Sequence, residues 1–269
     1  FELLLGIVQR EEDSLLLKLA LGHLQFTYNS LLGDGQRARQ TPVMEQALWD
    51  AVLAQPDGSR TKLVFRYFSA LASSPARVQQ LDEIWKGTLV LERLVLEEDE
   101  RISLAENLAI RLPEKSAAIV EEQLAAIDNP DRRRRLAFIA PSLAADAALR
   151  DAFFESLRDE RNRRTERWVS DALRRLHHPA RLDQSQKYVL PSLELLEEIQ
   201  VTGDIFFPTD WLEATLGNHH SPAVARTVRE FLAQRPDYNR QLRMKILQAA
   251  DPLFRSAELR QRKPAVDPD

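Results

Sequence analysis

Apolar residues recur every three or four positions along most of the chain, which is the spacing of one face of an α-helix. Val224, Val228, Phe231 and Leu232 form one such stripe. The stretch 88–91, next to Gly87, has a strand-like composition but is equally consistent with an extended loop. The pattern predicts helices near residues 2–10, 14–32, 42–54, 59–72, 75–85, 97–111, 114–127, 131–139, 146–159, 163–177, 184–189, 192–202, 209–217, 222–234 and 239–250.

Four pairs of residues are typical of helix starts: Thr41-Pro42, Ser74-Pro75, Asn129-Pro130 and Ser221-Pro222. In each pair a small polar side chain can accept a hydrogen bond from an unpaired amide. The proline then fills the first helical position, where its missing N–H does no harm. Gly203 follows a long apolar and acidic run and is predicted to end that helix in the left-handed conformation.

Many medium-length helices joined by short links pack most simply as antiparallel pairs stacked in a row. Because no fixed sequence period recurs, the stack should be irregular. The predicted fold is therefore all-α, an irregular α-solenoid over residues 1–255. Residues 256–269 are polar, contain two prolines and are predicted to be a frayed tail.

The composition is that of a soluble globular protein, with 44% hydrophobic and 29% charged residues. The net charge of −4 and the dispersed basic residues argue against a nucleic-acid partner. Without cysteine, disulfides and thiolate chemistry are excluded. No apolar run is long enough for a membrane span. No signal peptide is visible at Phe1, and we expect a piece of a longer protein from either the cytoplasm or the periplasm.

The motifs of common hydrolases and nucleotide-binding proteins are missing from the sequence. A helix-borne zinc peptidase site needs H-E-x-x-H, and none of the five histidines is followed by Glu. Neither a Gly-rich phosphate loop nor a G-x-S-x-G motif occurs. We therefore predict no catalytic residue, metal ligand set or cofactor site within this chain.

Two histidine pairs, His177-His178 and His219-His220, invite a metal-site interpretation together with nearby carboxylates. Adjacent helical residues point about 100° apart and rarely bind one ion together. The same geometry disfavours a new hydrolase site built on His177 and His178. We favour helix C-terminal histidines that meet unpaired carbonyls and the negative end of the helix dipole.

Three further segments allow either a binding or a structural interpretation. For the run Asp131 to Arg135, the favoured interpretation is a structural one, in which the arginines are solvated or form salt bridges. The alternative is an anion-binding site. In the segment 161–168 a helix start, several guanidinium groups and Trp168 would suit a peptide carboxylate, although packing of Trp168 beneath its arginines is favoured. The apolar link 203–211 is expected to be buried in its own core rather than against another domain.

Several of these segments resemble the C-terminal region of bacterial members of the aminopeptidase N family, which are gluzincin zinc metallopeptidases. The resemblance is strong from about Leu81 to Arg255 and weaker but colinear before that. It is carried by Asn129-Pro130-Asp131-Arg132, Phe153-Phe154, Asn162-Arg163, Trp168-Val169, Leu176-His177-His178-Pro179 and the block from Tyr188 to Pro208.

The resemblance implies HEAT-like helix pairs that close over a catalytic domain, form a wall of the substrate chamber and restrict access to it. The zinc, its ligands and the water-activating Glu would then belong to upstream domains, so this chain alone should be inactive. Its implied partners are its own upstream catalytic domain and the peptide substrate. By a loose parallel with relatives that hold the substrate carboxylate, the implied substrate-binding residues are Arg163, Arg164, Arg167 and Trp168.

A different hypothesis remains open on the sequence. Large helical stacks commonly bind protein partners on a concave face, so the chain is also consistent with a stand-alone helical-repeat scaffold for protein–protein interaction.

Overall fold

The computed structural model describes residues 1–261, and within that range the chain is all-α with no β-strand. The chain divides into two compact units, which we call unit 1 (Phe1–Ala137) and unit 2 (from Phe138 onward). The predicted fold class is confirmed. The stacking of helix pairs into a solenoid stays a prediction.

Unit 1 contains seven α-helices and the first half of an eighth. A wider π-helical turn, Thr27–Leu31, follows the second helix, and a 3-10 turn, Pro113–Lys115, precedes the seventh. The helices are α1 (Glu2–Arg10), α2 (Ser14–Phe26), α3 (Asp34–Ala54), α4 (Gly58–Leu71), α5 (Pro75–Lys86), α6 (Glu98–Arg111), α7 (Ser116–Ala126) and α8 (Pro130–Leu143), which crosses the boundary between the units.

Unit 2 is built from shorter helices linked by 3-10 turns at Glu160–Arg163, Pro179–Arg181 and Gln186–Tyr188. Its helices are α9 (Ala147–Ser156), α10 (Glu166–Leu176), α11 (Leu182–Ser185), α12 (Val189–Glu194), α13 (Leu196–Thr202), α14 (Phe207–Leu216), α15 (Pro222–Ala233) and α16 (Arg240–Gln261).

The two units differ in how their helices pack. In unit 1 most close contacts join consecutive helices, such as α1 with α2, α3 with α4 and α6 with α7. In unit 2, α14 packs against both α10 and α16, which are distant in sequence. Side chains that are fully removed from solvent form the core of each unit, among them Leu21, Leu48 and Phe68 in unit 1 and Phe154 and Trp211 in unit 2.

The predicted helix start at Thr41-Pro42 is wrong, because Pro42 lies inside α3. Thr41 does not cap a helix. Its hydroxyl donates to the Arg37 carbonyl, 2.7 Å away, and also contacts the Tyr28 hydroxyl at 2.7 Å. A proline within a helix removes one backbone hydrogen bond, and α3 continues through Pro42 without it.

Two of the other helix starts are confirmed in full. The Asn129 side chain accepts hydrogen bonds from the amides of Asp131 and Arg132, and Ser221 accepts one from Val224. Ser74 does precede a helix with proline at its first position, but its side chain makes no cap hydrogen bond.

The left-handed glycine that ends a helix is Gly87 rather than Gly203. Gly203 ends α13 with a φ of −98° and a ψ of 175°, so the left-handed prediction is wrong. Gly87 ends α5 with a φ of +74°, where a residue with a side chain would be strained. Residues 88–91 form bends and irregular loop rather than a strand, so the loop alternative is confirmed.

The prediction of a frayed tail from Ser256 is wrong as far as Gln261, because α16 continues through these residues. Ser256 and Ala257 are almost completely buried, and the Ser256 hydroxyl donates to the Pro252 carbonyl at 2.7 Å. Burial of this face extends the helix beyond the point where its sequence becomes polar. The rest of the predicted tail, 262–269, lies outside the described residues.

Candidate functional site

The predicted binding residues lie around the start of α10 in unit 2. Arg163 ends the 3-10 turn, and Arg164 follows it directly. α10 begins at Glu166, so Arg167 and Trp168 belong to its first turn. The four residues are therefore close in the chain but occupy three different local structures.

Arg163 is only 3% exposed, and its guanidinium is engaged within unit 2. One terminal nitrogen donates to the carbonyls of Leu157 and Arg158, and the other donates to the Glu198 carboxylate and the Thr202 hydroxyl. These contacts join the 3-10 turn to α13. The geometry gives Arg163 a structural role and leaves its terminal nitrogens no position from which to reach a ligand.

Arg164 and Arg167, in contrast, are exposed, and neither has a carboxylate partner among residues 1–261. Trp168 is half-buried, and its ring packs on Phe138 with the ring centres 5.9 Å apart. Phe138 in turn meets the edge of Phe153. Two free guanidinium groups thus lie in the same short segment as a rigid aromatic residue, which is a combination suited to a carboxylate.

A second cluster, which sequence reasoning did not predict, joins the two histidine pairs. His177 ends α10 and His219 lies in the link between α14 and α15. Nδ1 of His177 and Nε2 of His219 are 2.8 Å apart, and the side-chain amide of Asn218 donates to the His177 carbonyl at 3.0 Å. His177 lies at a helix C-terminus, as predicted, but its ring contacts another histidine rather than a carbonyl.

Burial keeps these two imidazoles neutral. It holds the pKa of His177 well below its usual value, and a positive His219 would lower it further. Burial likewise lowers the pKa of His219 to about 4, with a smaller contribution from His220. A neutral ring has no charge with which to complement the helix dipole, so for His177 and His219 the dipole interpretation is wrong.

The other member of each pair has a local role. Nδ1 of His178 accepts the Ala180 amide and caps the 3-10 turn that follows. Nδ1 of His220 lies 3.3 Å from the Asn218 carbonyl. One histidine of each pair therefore joins the His177–His219 contact, and the other makes a local contact with the backbone.

The arginine run at the start of α8 is held by salt bridges and carbonyls of unit 1, as predicted. Arg132 pairs with Glu98 and Asp99, and Arg135 pairs with the fully buried Glu106. Arg133 donates to the Ile127 carbonyl and Arg134 to Asp131. The structural interpretation of this segment is confirmed.

Sequence reasoning missed two further buried arginines in unit 2. Arg150 donates to the carbonyls of Ala144 and Ala145, and Arg181 donates to those of Leu143 and Ala144. Burial lowers the pKa of Arg181 to about 10. Together they complete the hydrogen bonding of carbonyls at the end of α8, and nothing in the sequence distinguishes them from surface arginines.

The apolar link before α14 is only partly buried. Phe207 and Trp211 belong to the core of unit 2, as expected. Ile205 and Phe206 are 72% and 70% exposed, so for these two residues the expectation of own-core burial is wrong. Two large adjacent apolar side chains in solvent mark a candidate contact surface.

Within residues 1–261, no three histidine, aspartate or glutamate side chains group closely enough to hold a metal ion. No helix within the described residues combines the length and the apolar composition needed to cross a bilayer.

No protein-family model matches the chain, and no curated protein is significantly similar to it.

Proposed function

We propose that this chain is the C-terminal helical domain of a zinc-dependent aminopeptidase and that it forms a wall of the chamber in which the substrate peptide is held. The observation that carries the proposal is the sequence resemblance, above all the block from Tyr188 to Pro208. The all-α fold agrees with what that resemblance implies. Zinc and its ligands would belong to an upstream catalytic domain of the same protein.

Within this function, Arg164 and Arg167 would contact the carboxylate of the bound peptide, and Trp168 would pack beside it. The support is their exposure and the absence of a carboxylate partner for either arginine in residues 1–261. A guanidinium group binds a carboxylate through two parallel hydrogen bonds. Arg163 is not part of this contact, since its terminal nitrogens are engaged inside unit 2.

The coding sequence before Phe1 provides the first test. We expect it to encode a helix with H-E-x-x-H and, upstream of the present chain, a third zinc ligand. A start codon within a few residues of Phe1 would contradict the aminopeptidase proposal and favour a free-standing protein.

A second candidate function, a helical scaffold that binds a protein partner, is favoured by the outer face of α2. Leu15, Leu16 and Leu19 are 78%, 53% and 57% exposed, while Leu17 and Leu21 on the opposite face are fully buried. A helix that is apolar on all sides is normally covered on all sides. The scaffold proposal predicts that the chain alone captures a partner protein and that Leu19→Glu abolishes the capture.

A further inference from the structure

A groove in unit 1 runs between α4 and α6 and encloses a volume of about 500 Å³. Its floor is formed by Leu63, Phe65, Leu96 and Leu104. This volume lies in the range of small-molecule sites, which are mostly apolar with a few polar groups at defined positions. We call it the α4–α6 groove.

The charged residues at the rim are paired, with one exception. Lys62 lies 3.2 Å from the Glu100 carboxylate, and Asp99 is bound by Arg132 at 2.7 Å. Arg66 lines the same groove but has no carboxylate partner among the described residues. Its guanidinium lies over the Tyr67 ring, 5.4 Å from the ring centre. The groove therefore presents one guanidinium that has no carboxylate partner within residues 1–261, next to an apolar floor.

The walls of the groove also restrict what can occupy it. Both long walls are α-helices, whose backbone N–H and C=O groups beyond the first turn are already bonded along the helix axis. An extended peptide in the groove would find few partners for its own amides, and unpaired buried amides are costly. An aliphatic chain carries no such groups.

We propose that the α4–α6 groove binds an aliphatic monocarboxylate, with the chain on the leucine and phenylalanine floor and the carboxylate paired to Arg66. The apolar floor supplies affinity in proportion to the chain that it covers. The guanidinium selects an anionic headgroup over a neutral one. This inference does not rest on the proposed function.

The test is calorimetric titration of the chain with decanoate, well below its micelle concentration, and with decanol as the neutral ligand of equal chain length. We expect saturable binding of decanoate, clearly tighter than that of decanol. Arg66→Gln should weaken decanoate binding about tenfold or more and leave decanol unchanged. Arg10→Gln, at another exposed arginine of unit 1 that has no carboxylate partner within residues 1–261, is the matched control and should bind like the wild type.

A second variant tests the location of the site. Ser103 is exposed on the α6 wall, so Ser103→Trp should fill the groove and abolish binding without affecting the fold. Circular dichroism and thermal melting check that both variants fold. Decanoate binding that survives Arg66→Gln or Ser103→Trp, or no binding at about 1 mM decanoate, would overturn the proposal. If an apolar tripeptide with a free carboxylate binds more tightly than decanoate, and this binding depends on Arg66, the ligand of the groove is a peptide C-terminus. That result would also contradict the aliphatic-acid proposal.

Discussion

His177 and His219 share a hydrogen bond of 2.8 Å in the interior of unit 2, although 42 residues separate them in sequence. One ring nitrogen must donate and the other must accept, so the bond needs at least one neutral imidazole. The bond ties the end of α10 to the link before α15.

The first prediction concerns acid stability. Burial places the pKa of His219 at about 4 and that of His177 well below the usual 6.5, so the unfolded chain binds more protons than the folded one between these values. Stability is therefore complete above about pH 6.5 and is lost as the pH falls toward 4. For His219 alone the loss is roughly 2–4 kcal/mol. Urea denaturation at a series of pH values measures it.

The control for acid stability is His219→Gln, which removes one titrating ring and keeps a hydrogen-bonding side chain. The variant should be less stable than the wild type at pH 7.5 but should lose less stability between pH 6.5 and 4.5. His23, which is exposed, provides the matched comparison through His23→Gln. Equal pH dependence of the wild type and His219→Gln would contradict the assignment.

The second prediction separates two neighbouring arginines. Arg163→Met should lower the free energy of unfolding by roughly 2–4 kcal/mol, because it leaves the buried carbonyl of Leu157 and the part-buried carbonyl of Arg158 without their donor. Arg164→Met, one residue later on the surface, should change it by less than about 0.5 kcal/mol. Chemical denaturation of both variants measures the two changes in the free energy of unfolding. A similar effect at the two positions would show that Arg163 is not structural.

The third prediction concerns a helix cap supplied from another helix. Glu45 in α3 is 2% exposed, and its carboxylate accepts the amides of Ser73 and Ser74 at 2.7 and 2.8 Å, where α5 begins. Glu45→Ala should cost roughly 2–3 kcal/mol of stability. Glu45→Gln, which retains one acceptor oxygen, should cost less. Ser74→Ala should cost less than Glu45→Ala, and the reverse order would show that Ser74 is the principal cap.

The cap at α5 illustrates what could be predicted from the sequence and what could not. Ser74-Pro75 correctly marked the helix start, because proline fits the first helical position regardless of distant contacts. The acceptor at that start is Glu45, which lies 29 residues earlier in the chain. A side chain brought in from another helix leaves no local signal.

The candidate site shows the same limit of sequence-based prediction. The positions of Arg163, Arg164, Arg167 and Trp168 near one helix start followed from the sequence. Which arginine would be buried did not, since that depends on carbonyls and on Glu198 from α13. Helix periodicity predicted most elements, whereas the 2.8 Å His177–His219 contact depends on the packing of distant segments.

The fourth prediction tests the proposed peptide contact in the complete protein. Arg164→Gln together with Arg167→Gln should raise KM for peptide substrates and leave turnover of a short aminoacyl anilide unchanged, because the anilide has no carboxylate to bind. Steady-state kinetics with both substrates measure the difference. An equal loss on both substrates would place the arginines outside peptide binding.

The most direct measurement is hydrolysis of an aminoacyl anilide by two proteins, the complete gene product and the 269-residue chain, each with and without added zinc. The account predicts zinc-dependent turnover by the complete product and none by the chain under either condition. Turnover by the chain itself, or a complete product that lacks zinc-dependent aminopeptidase activity, would contradict it.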